Sequence, residues 1–395
     1  MPTTASPLRG RYFLKNKWAN KLLASIDFCL SIFIKRDQVN IVQSPKNILL
    51  SNLAHMGDVV LMTSLLPVLK KTYPQAAIGV LIGSWSLPLL KNHPLVDRIH
   101  IVDHWKLHRS PLSLAKKFVG YWKTKRKAMR EIRGSSYDVA IDAYYYFPNA
   151  VPIFWKAKIP VRIGYTSGGF GPLLTHAVDW TNSNQSVVHY YCALIDFLNI
   201  PREEYFPLLR PSLPRNKSLS GNQYLQQNST LEVSQGYIVI HIGPGSPLKE
   251  WPLENWQKLV AKLQNHPLIF TGKGEREKEQ IDLIIQGRKG CINLADRLTW
   301  DEYTAILQDA KLLIGVDSVP GHLAACYGTP SVLIYSGMSN IHHWSPRSPH
   351  CTILTNHMPC SPCYRGQGCS TMSCIREVNV ETVYAACCKK ISLNS

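Results

Sequence analysis

Short apolar runs alternate with helical segments along this chain, and the alternation occurs twice. The first series starts with the apolar run Asn47–Asn52, the helical stretch Val59–Lys71 and the apolar run Ala77–Ile82. The second series starts at Tyr237–Ile242 and continues with a helical stretch over Leu253–Leu263. Short buried runs between helices are typical of parallel βαβ units. The pattern therefore predicts an α/β protein with two doubly wound halves.

The length also favours two domains, because single cores stop growing at about 250–300 residues. This chain has 395 residues, and residues 201–233 are rich in Pro, Ser, Asn and Gln with little periodicity, as in a linker. The predicted parts are an extension (1–46), a first domain (47–200), the linker (201–233), a second domain (234–375) and a C-terminal helix (376–395). A return of that helix to the first domain is one option. Ligands of such sheets bind outside the carboxyl ends of the strands.

The charge balance indicates anionic partners. The chain carries 44 Lys and Arg against 26 Asp and Glu, a formal net charge of +18. Nucleic acid, acidic lipid head groups and phosphorylated substrates are all partners that such an excess attracts. No nucleic-acid-binding module with interleaved aromatic and basic residues is visible, which argues against nucleic acid.

The N-terminal extension contains one apolar stretch, Leu22–Ile34, which includes Asp27. The stretch is too short to span a bilayer, which takes about 20 apolar residues. Basic residues flank it on both sides: Lys15, Lys17, Lys21, Lys35 and Arg36. It is either an amphipathic helix on an anionic membrane face or a helix packed on the protein's own surface. No apolar segment typical of a secretory signal precedes it, so a cytoplasmic location is expected.

Two turns in the sequence carry residues suited to chemistry. Gly57 and Asp58 follow the first predicted strand, where an aspartate serves as a base or caps the following helix. The segment His241–Pro252 follows the first strand of the second series and contains Ser246 and Lys249. A glycine-rich turn with these two side chains suits a phosphate, although it matches neither a dinucleotide fingerprint nor a P-loop.

Two further turns lie in the second half. Glu275 follows the turn Thr271–Gly274, where it contacts a ribose or caps a helix. The segment Gly315–Ala325 carries Asp317, Ser318, Gly321 and His322 at a predicted helix start, whose unpaired N–H groups attract an anion.

Four of the eleven cysteines form a cluster near the C-terminus: Cys360, Cys363, Cys369 and Cys374. Their spacing is close to that of zinc ligands, so a structural zinc site is one interpretation. The alternatives are reduced thiols or a disulfide in a loop. The odd number of cysteines argues against a fully paired secreted framework.

Together these segments resemble the heptosyltransferases of glycosyltransferase family 9. The matching stretches are LAHMGDVVLMTSLLPVLKKTYP, HPLVDRIHIVD, GPGSPLKEWPLENWQKL, FTGKGERE and VDSVPGHLAACYGTPSVLIYSG, in the family's order. The resemblance implies the GT-B fold, with two Rossmann-like domains facing a central crevice, and a role in lipopolysaccharide core synthesis. It also implies a cytoplasmic enzyme, with peripheral contact to the inner membrane as an option. One departure is Val319, where the family usually has glycine.

The resemblance also assigns roles to residues. It makes Asp58 the catalytic base of an inverting, metal-independent transfer without a cofactor. Ser246 and Lys249 would hold the donor phosphate, Asp317 the sugar, and Glu275 the nucleoside. Ser318, Gly321 and His322 would bind the diphosphate. The implied donor is a nucleotide sugar such as ADP-heptose, and the implied acceptor is an anionic, lipid-linked saccharide.

Two rival functions keep the same fold. One is a nucleotide-sugar epimerase, and the other is a nucleotide-sugar-binding protein without transfer activity. The presence of Asp58 argues against the inactive alternative.

Overall fold

The computed structural model describes Tyr12 and residues 16–34, 39–180 and 184–393. Lys15, Lys35 and Arg36 of the predicted basic flanks lie outside these residues. The chain divides into two compact units, Met1–Pro214 and Arg215–Ser395. The boundary falls inside the segment 201–233 that the sequence indicates as a linker.

The first unit is built on a parallel sheet whose described strands follow the order β3-β2-β1-β4-β5-β6. The strands are β1 (Asn47–Asn52), β2 (Ala77–Ile82), β3 (Arg98–Ile101), β4 (Val139–Asp142), β5 (Val161–Tyr165) and β6 (His176–Val178). The central strand β1 is buried from Ile48 onward, because helices cover both faces of a doubly wound sheet. This explains the apolar run of residues 48–50 and the burial of the polar residues Ser51 and Asn52 that follow it.

Helices connect these strands and precede them. They are α1 (Lys17–Phe33), α2 (Met56–Met62), α3 (Leu65–Thr72), α4 (Leu87–Leu90), α5 (Leu114–Gly134), α6 (Val151–Lys156), α7 (Val187–Tyr190), α8 (Cys192–Ile195) and α9 (Arg202–Tyr205). Short 3-10 turns lie at Ser84–Ser86, Thr166–Gly168, Gly171–Leu173, Asp196–Leu198 and Phe206–Leu208. The helix predicted over Val59–Lys71 is divided into α2 and α3. At the break, the Thr63 hydroxyl donates to the Val60 carbonyl (2.6 Å).

The second unit repeats the architecture, with the strand order β12-β11-β10-β7-β8-β9 and parallel pairing throughout. Its strands are β7 (Ile238–His241), β8 (Leu268–Thr271), β9 (Cys291–Asn293), β10 (Leu312–Val316), β11 (Ser331–Ile334) and β12 (Cys351–Leu354). Its helices are α10 (Gly221–Asn228), α11 (Leu253–Lys262), α12 (Glu275–Ile285), α13 (Trp300–Asp309), α14 (Val319–Tyr327), α15 (Ile341–Trp344), α16 (Ser373–Arg376) and α17 (Val380–Ser392). A 3-10 turn spans Pro247–Lys249. Two Rossmann-like α/β domains confirm the predicted fold class.

Two segments differ from the sequence interpretation. Part of the predicted linker is helical, since α10 begins at a Ser220 cap and buries Leu225 in the second unit. The last helix, α17, also belongs to this unit, because Val383 and Cys387 are buried in its core. The structure therefore places α17 in the second unit, in contrast to the suggested return to the first.

The apolar stretch of the extension forms α1. Asn16 begins this helix, with its side chain accepting the N–H groups of Trp18 and Ala19 (2.8 and 3.3 Å). The helix packs on the turn Gly171–Leu173, where Leu30 contributes to a small apolar cluster. Among the described residues, no helix has the length and apolar character needed to cross a bilayer.

Candidate functional site

Asp58 lies at the carboxyl end of β1, on the first turn of α2. Its Oδ2 accepts the backbone N–H of His55 (3.2 Å), so the carboxylate does cap the helix. The same side chain is only half-buried and stays accessible at the edge of the sheet where ligands of this fold bind. Capping and a catalytic role are therefore compatible in one residue.

Side chains from other strand ends surround this carboxylate. Arg109 comes from the loop after β3, and Tyr144 comes from the loop after β4. Burial lowers the pKa of Arg109, while the charges of Asp58 and Tyr144 oppose that change. Burial raises the pKa of Tyr144 well above its usual value, and the charge of Asp58 adds to this shift. The site in the first unit thus combines a carboxylate, a guanidinium and neutral phenols.

Aromatic rings form one wall beside Asp58. Trp180 stacks between Tyr145 and Tyr190, with ring centroids 3.6 and 3.9 Å apart. Tyr191 is buried, and its hydroxyl has no hydrogen-bond partner among the described residues. Burial raises the pKa of Tyr191, with a further contribution from Asp58. Because Trp180 is covered on both faces and the tyrosines are buried, this stack fixes the loops beside Asp58.

A buried carboxylate holds the loop that carries these tyrosines. Asp142 ends β4 and accepts the N–H groups of Tyr144 (3.1 Å) and Ala150 (2.7 Å). Burial raises the pKa of Asp142 to about 6, and these hydrogen bonds oppose the rise. We assign Asp142 to shaping the loop, since both oxygens are used by backbone groups.

In the second unit, the structure brings together three predicted residues from three chain segments. Lys249 ends the turn Pro247–Lys249, and its ammonium pairs with the carboxylate of Asp317, which follows β10. His322 lies on α14, is buried, and interacts with both charges. Burial lowers the pKa of His322 to about 4, with Asp317 opposing this shift and Lys249 adding to it. The imidazole is therefore neutral at pH 7.

The start of α14 presents backbone N–H groups beside this cluster. Ser318 is the N-cap in an extended conformation, but its hydroxyl donates to the Val316 carbonyl (3.3 Å) and does not cap the helix. Val319 is the first helical residue, so the departure from glycine requires no unusual backbone conformation. Gly321 has a packing role, since a Cβ there would lie 2.5 Å from Leu333 Cδ1.

Ser246 acts on the same site through the backbone. Its carbonyl accepts the N–H of Lys249 (2.9 Å), which closes the turn that carries the lysine. Its own conformation is extended, and its side chain is half-buried. Ser246 therefore positions Lys249 whether or not its hydroxyl contacts a ligand.

The structure distinguishes two glutamates at the start of α12. Glu275 is exposed and pairs with Lys278 on the same helix (2.9 Å). Glu277 instead accepts the N–H of Lys273 (2.8 Å), and its carboxylate lies against Gly243 at the end of β7. Burial raises the pKa of Glu277. Of the two glutamates, Glu277 faces the carboxyl ends of the strands, and the sequence interpretation missed it.

The structure describes all four cysteines of the predicted zinc site. All eleven cysteines are free thiols, and no group of three or more His, Cys, Asp or Glu side chains among the described residues could hold a metal ion. Cys374 is buried, whereas Cys360 and Cys369 are exposed. Burial raises the pKa of Cys374, and the charges of Cys363, Cys369 and Cys360 add to the rise, so the four thiols lie near one another. The structural zinc site therefore stays a prediction beside the alternative of reduced thiols.

Taken together, these features define the class of protein. The chain has two doubly wound parallel sheets. The carboxyl edge of one carries a carboxylate, and that of the other carries a cation and a helix start. This combination is typical of a Rossmann-like protein that binds a nucleotide. The sequence profile of glycosyltransferase family 9 (heptosyltransferase) matches residues 125–372. Because this match covers more than half of the chain, the protein belongs to that family and is a glycosyltransferase.

Individual relatives agree with this assignment. The lipopolysaccharide heptosyltransferase 3 of Escherichia coli is 23% identical over 301 residues, which are 74% of this chain and 84% of the relative. A crystal structure of glycosyl transferase family 9 from Veillonella parvula has 19% identity and a TM-score of 0.71, covering 90% of this chain and all of the other. The E. coli ADP-heptose lipopolysaccharide heptosyltransferase II has 20% identity and a TM-score of 0.68, with coverage of 88% and 99%.

Proposed function

We propose that this enzyme transfers a heptose, or a closely similar sugar, from a nucleoside-diphosphate donor to a lipid-linked saccharide of the lipopolysaccharide core. The proposed mechanism is inverting and independent of metal. The observation that carries it is the cluster of Lys249, Asp317 and His322 beside the start of α14. Family membership and the names of the E. coli relatives, which specify heptose transfer and ADP-heptose, support the choice of sugar and donor.

On the donor side, the diphosphate would meet Lys249 and the N–H groups at the start of α14. A lysine and a helix N-terminus both stabilise the negative charge of a departing diphosphate. His322 would donate a hydrogen bond in its neutral form, so that no proton uptake is needed at pH 7. These groups supply the charge compensation for which many transferases use a divalent cation, which is why we propose metal independence.

Asp317 has a second task in this scheme. In the described structure its carboxylate neutralises Lys249. When the diphosphate takes over the lysine, the carboxylate becomes available to accept hydroxyl groups of the donor sugar. The nucleoside is assigned to the region where Glu277 faces Gly243, in place of the exposed Glu275.

On the acceptor side, Asp58 would accept the proton from the attacking hydroxyl as that oxygen forms its bond to the anomeric carbon. The bond from the anomeric carbon to the diphosphate breaks on the opposite side, which inverts the configuration. Arg109 is the cation next to this carboxylate, and it suits a phosphate or carboxylate group of an anionic acceptor.

The acceptor is thus assigned to the first unit and the donor to the second. Because a lipid-linked acceptor is displayed at a membrane, we expect the enzyme to act at the cytoplasmic face of the inner membrane. No nucleic-acid partner is proposed.

Thermal-shift screening of the full chain against a panel of nucleotide sugars tests the donor assignment. ADP-heptose at about 100 times its Kd should stabilise the protein by about 2.7 kcal/mol, whereas a non-binding nucleotide sugar should not. Donors with other bases and sugars serve as matched controls. Stabilisation by a different nucleotide sugar, with none by ADP-heptose, would overturn the proposed donor.

A further inference from the structure

Helix α1 is attached to the first unit through one narrow face. Leu23 lies against Gly169, and the buried Asp27 accepts the N–H of Phe170 (2.7 Å) and the hydroxyl of Tyr12 (2.9 Å). Asp27 is the only acidic residue of the helix. Its burial therefore orients α1 and leaves the opposite face without a negative charge.

The opposite face of α1 is apolar and exposed. Trp18 and Phe33 are 78% and 85% exposed. The large apolar residues on this face are Trp18, Leu22, Phe28, Ile32 and Phe33. The charged side chains of α1 outside the buried face are Lys17 and Lys21, with the Lys21 ammonium 5.2 Å from the Trp18 ring centroid. A surface helix normally places polar residues on its outer face, so α1 is arranged for a different environment.

The N-terminal half of α5 has the same character. Its exposed large apolar residues are Leu114, Phe118, Val119 and Trp122. On the same face of α5, the exposed Arg126 and Arg130 follow Trp122 at intervals of four residues. In total α5 carries eight Lys and Arg residues and a single acid, Glu131. A helix that is apolar at one end and basic at the other fits the boundary between acyl chains and anionic head groups.

Aromatic contacts connect the two helices within the first unit. Phe118 of α5 stacks on Trp105 at 4.7 Å, and His104 contacts both Trp105 (5.6 Å) and Phe147 (6.3 Å). The ring centroid of Phe147 lies 6.4 Å from that of Phe170. The backbone N–H of Phe170 donates to the carboxylate of Asp27 in α1. These loops follow β3, β4 and β5, so both helices are anchored at the carboxyl edge that also carries Asp58.

We infer that these two helices form a docking surface for an anionic phospholipid bilayer. The docking surface comprises the exposed apolar residues of α1 and of the N-terminal half of α5, with the basic residues of α5 beside them. Charge decides between a bilayer and a second copy of the chain, because two surfaces this rich in Lys and Arg repel each other while anionic head groups attract both. A polybasic segment joined to buried apolar side chains supplies the two signals needed for stable attachment.

The inference deepens the proposed function and rests on it for one point, the lipid-linked acceptor. Attachment at this edge would bring Asp58 to the surface where such an acceptor is displayed. Membrane binding itself needs neither donor nor turnover, so the two proposals can fail separately.

Flotation of the full chain with phosphatidylethanolamine–phosphatidylglycerol (3:1) vesicles, and with phosphatidylcholine vesicles, tests the docking surface. The chain should float with the anionic vesicles at low salt and lose affinity as salt is added. The double variant Phe28→Ser/Phe33→Ser should bind at least about tenfold more weakly, because two aromatic side chains no longer enter the interface. Arg126→Glu/Arg130→Glu should weaken binding and reduce its salt dependence.

Leu283→Ser is the matched control, since Leu283 is an exposed apolar residue (52%) of α12 in the second unit. It should bind vesicles as the wild type does, and every variant should keep the nucleotide-induced thermal shift. Wild-type affinity in both double variants would overturn the inference. A second result would also overturn it: salt-dependent oligomers of the wild type in sedimentation velocity that are absent from the Phe28→Ser/Phe33→Ser variant. The surface would then be a protein interface.

Discussion

Replacing Asp58 by asparagine separates the two roles of this residue. Asparagine keeps an oxygen that accepts the His55 N–H, so the capping contact at 3.2 Å survives in kind. The loss of negative charge at the start of α2 should cost about 0.3–1 kcal/mol of stability. A domain with a free energy of unfolding of roughly 5–15 kcal/mol stays folded after such a loss.

The catalytic effect of the same change should be much larger. A general base contributes a factor on the order of 10²–10⁴ in rate, or about 2.7–5.4 kcal/mol of barrier. Turnover should therefore fall by that factor, while the affinity for the donor stays nearly unchanged because donor binding is assigned to the second unit. The two magnitudes differ enough that misfolding cannot be mistaken for lost catalysis.

The assay is release of nucleoside diphosphate from ADP-heptose with heptose-deficient lipopolysaccharide as acceptor. Calorimetry measures donor affinity, and urea unfolding measures stability. Asp138→Asn is a matched control, since Asp138 accepts the N–H groups of Lys46 and Asn47 at the opposite end of the sheet. It should lose stability but keep turnover. An Asp58→Asn enzyme with wild-type turnover would refute the assignment of the base.

Three further predictions concern the second unit. Lys249→Ala should lower the donor affinity measured by calorimetry by about 10–100-fold, because a charge-assisted hydrogen bond is lost. The control Lys262→Ala removes a surface pair with Glu381 and should leave the donor affinity unchanged. Equal effects of the two substitutions would contradict the role of Lys249. Turnover should persist in EDTA, and a loss that Mg²⁺ or Mn²⁺ restores would disprove metal independence. Burial lowers the pKa of His322 to about 4 in the folded protein. As the pH falls, this imidazole is therefore protonated in the unfolded chain before it is protonated in the folded one. The free energy of unfolding should decrease as the pH drops from about 6.5 towards 4. Between pH 7.5 and 5.5, the free energy of unfolding measured in urea should fall by about 1.4 kcal/mol less in His322→Asn than in the wild type. An equal fall in both proteins would refute the lowered pKa of His322.

The fold could be predicted from the central strands. β1 and β7 are short apolar runs because helices cover both of their faces, and the sequence shows this directly. The edge strands β6, β9 and β12 could not be predicted, since their residues are only half-buried and carry no apolar run. Their positions depend on pairing with distant neighbours.

The candidate site divides in a similar way. Lys249, Asp317 and His322 could be expected to meet, because parallel strands deliver their carboxyl ends to one edge. Glu277 was missed, since α12 begins with several acidic residues and only the phase of the helix decides which of them faces Gly243. Arg109 lies in an irregular loop without a pattern, although its place after β3 is the one signal that could have found it.

The contrast between the two sites bears on the proposed chemistry. Around Asp58, buried phenols keep raised pKa values and remain neutral, so the charges acting on Tyr144 come from the carboxylates of Asp58 and Asp142 and the guanidinium of Arg109. In the second unit, Lys249 is already paired with Asp317, so its charge is not exposed to solvent as a lone ion. In the proposed function, a dianionic diphosphate would compete for this lysine with a single carboxylate, beside an imidazole that is neutral before the ligand arrives. The proposed donor site is therefore held in a charge-balanced state before the ligand arrives, and in the proposed mechanism the release of Asp317 would couple diphosphate binding to recognition of the sugar.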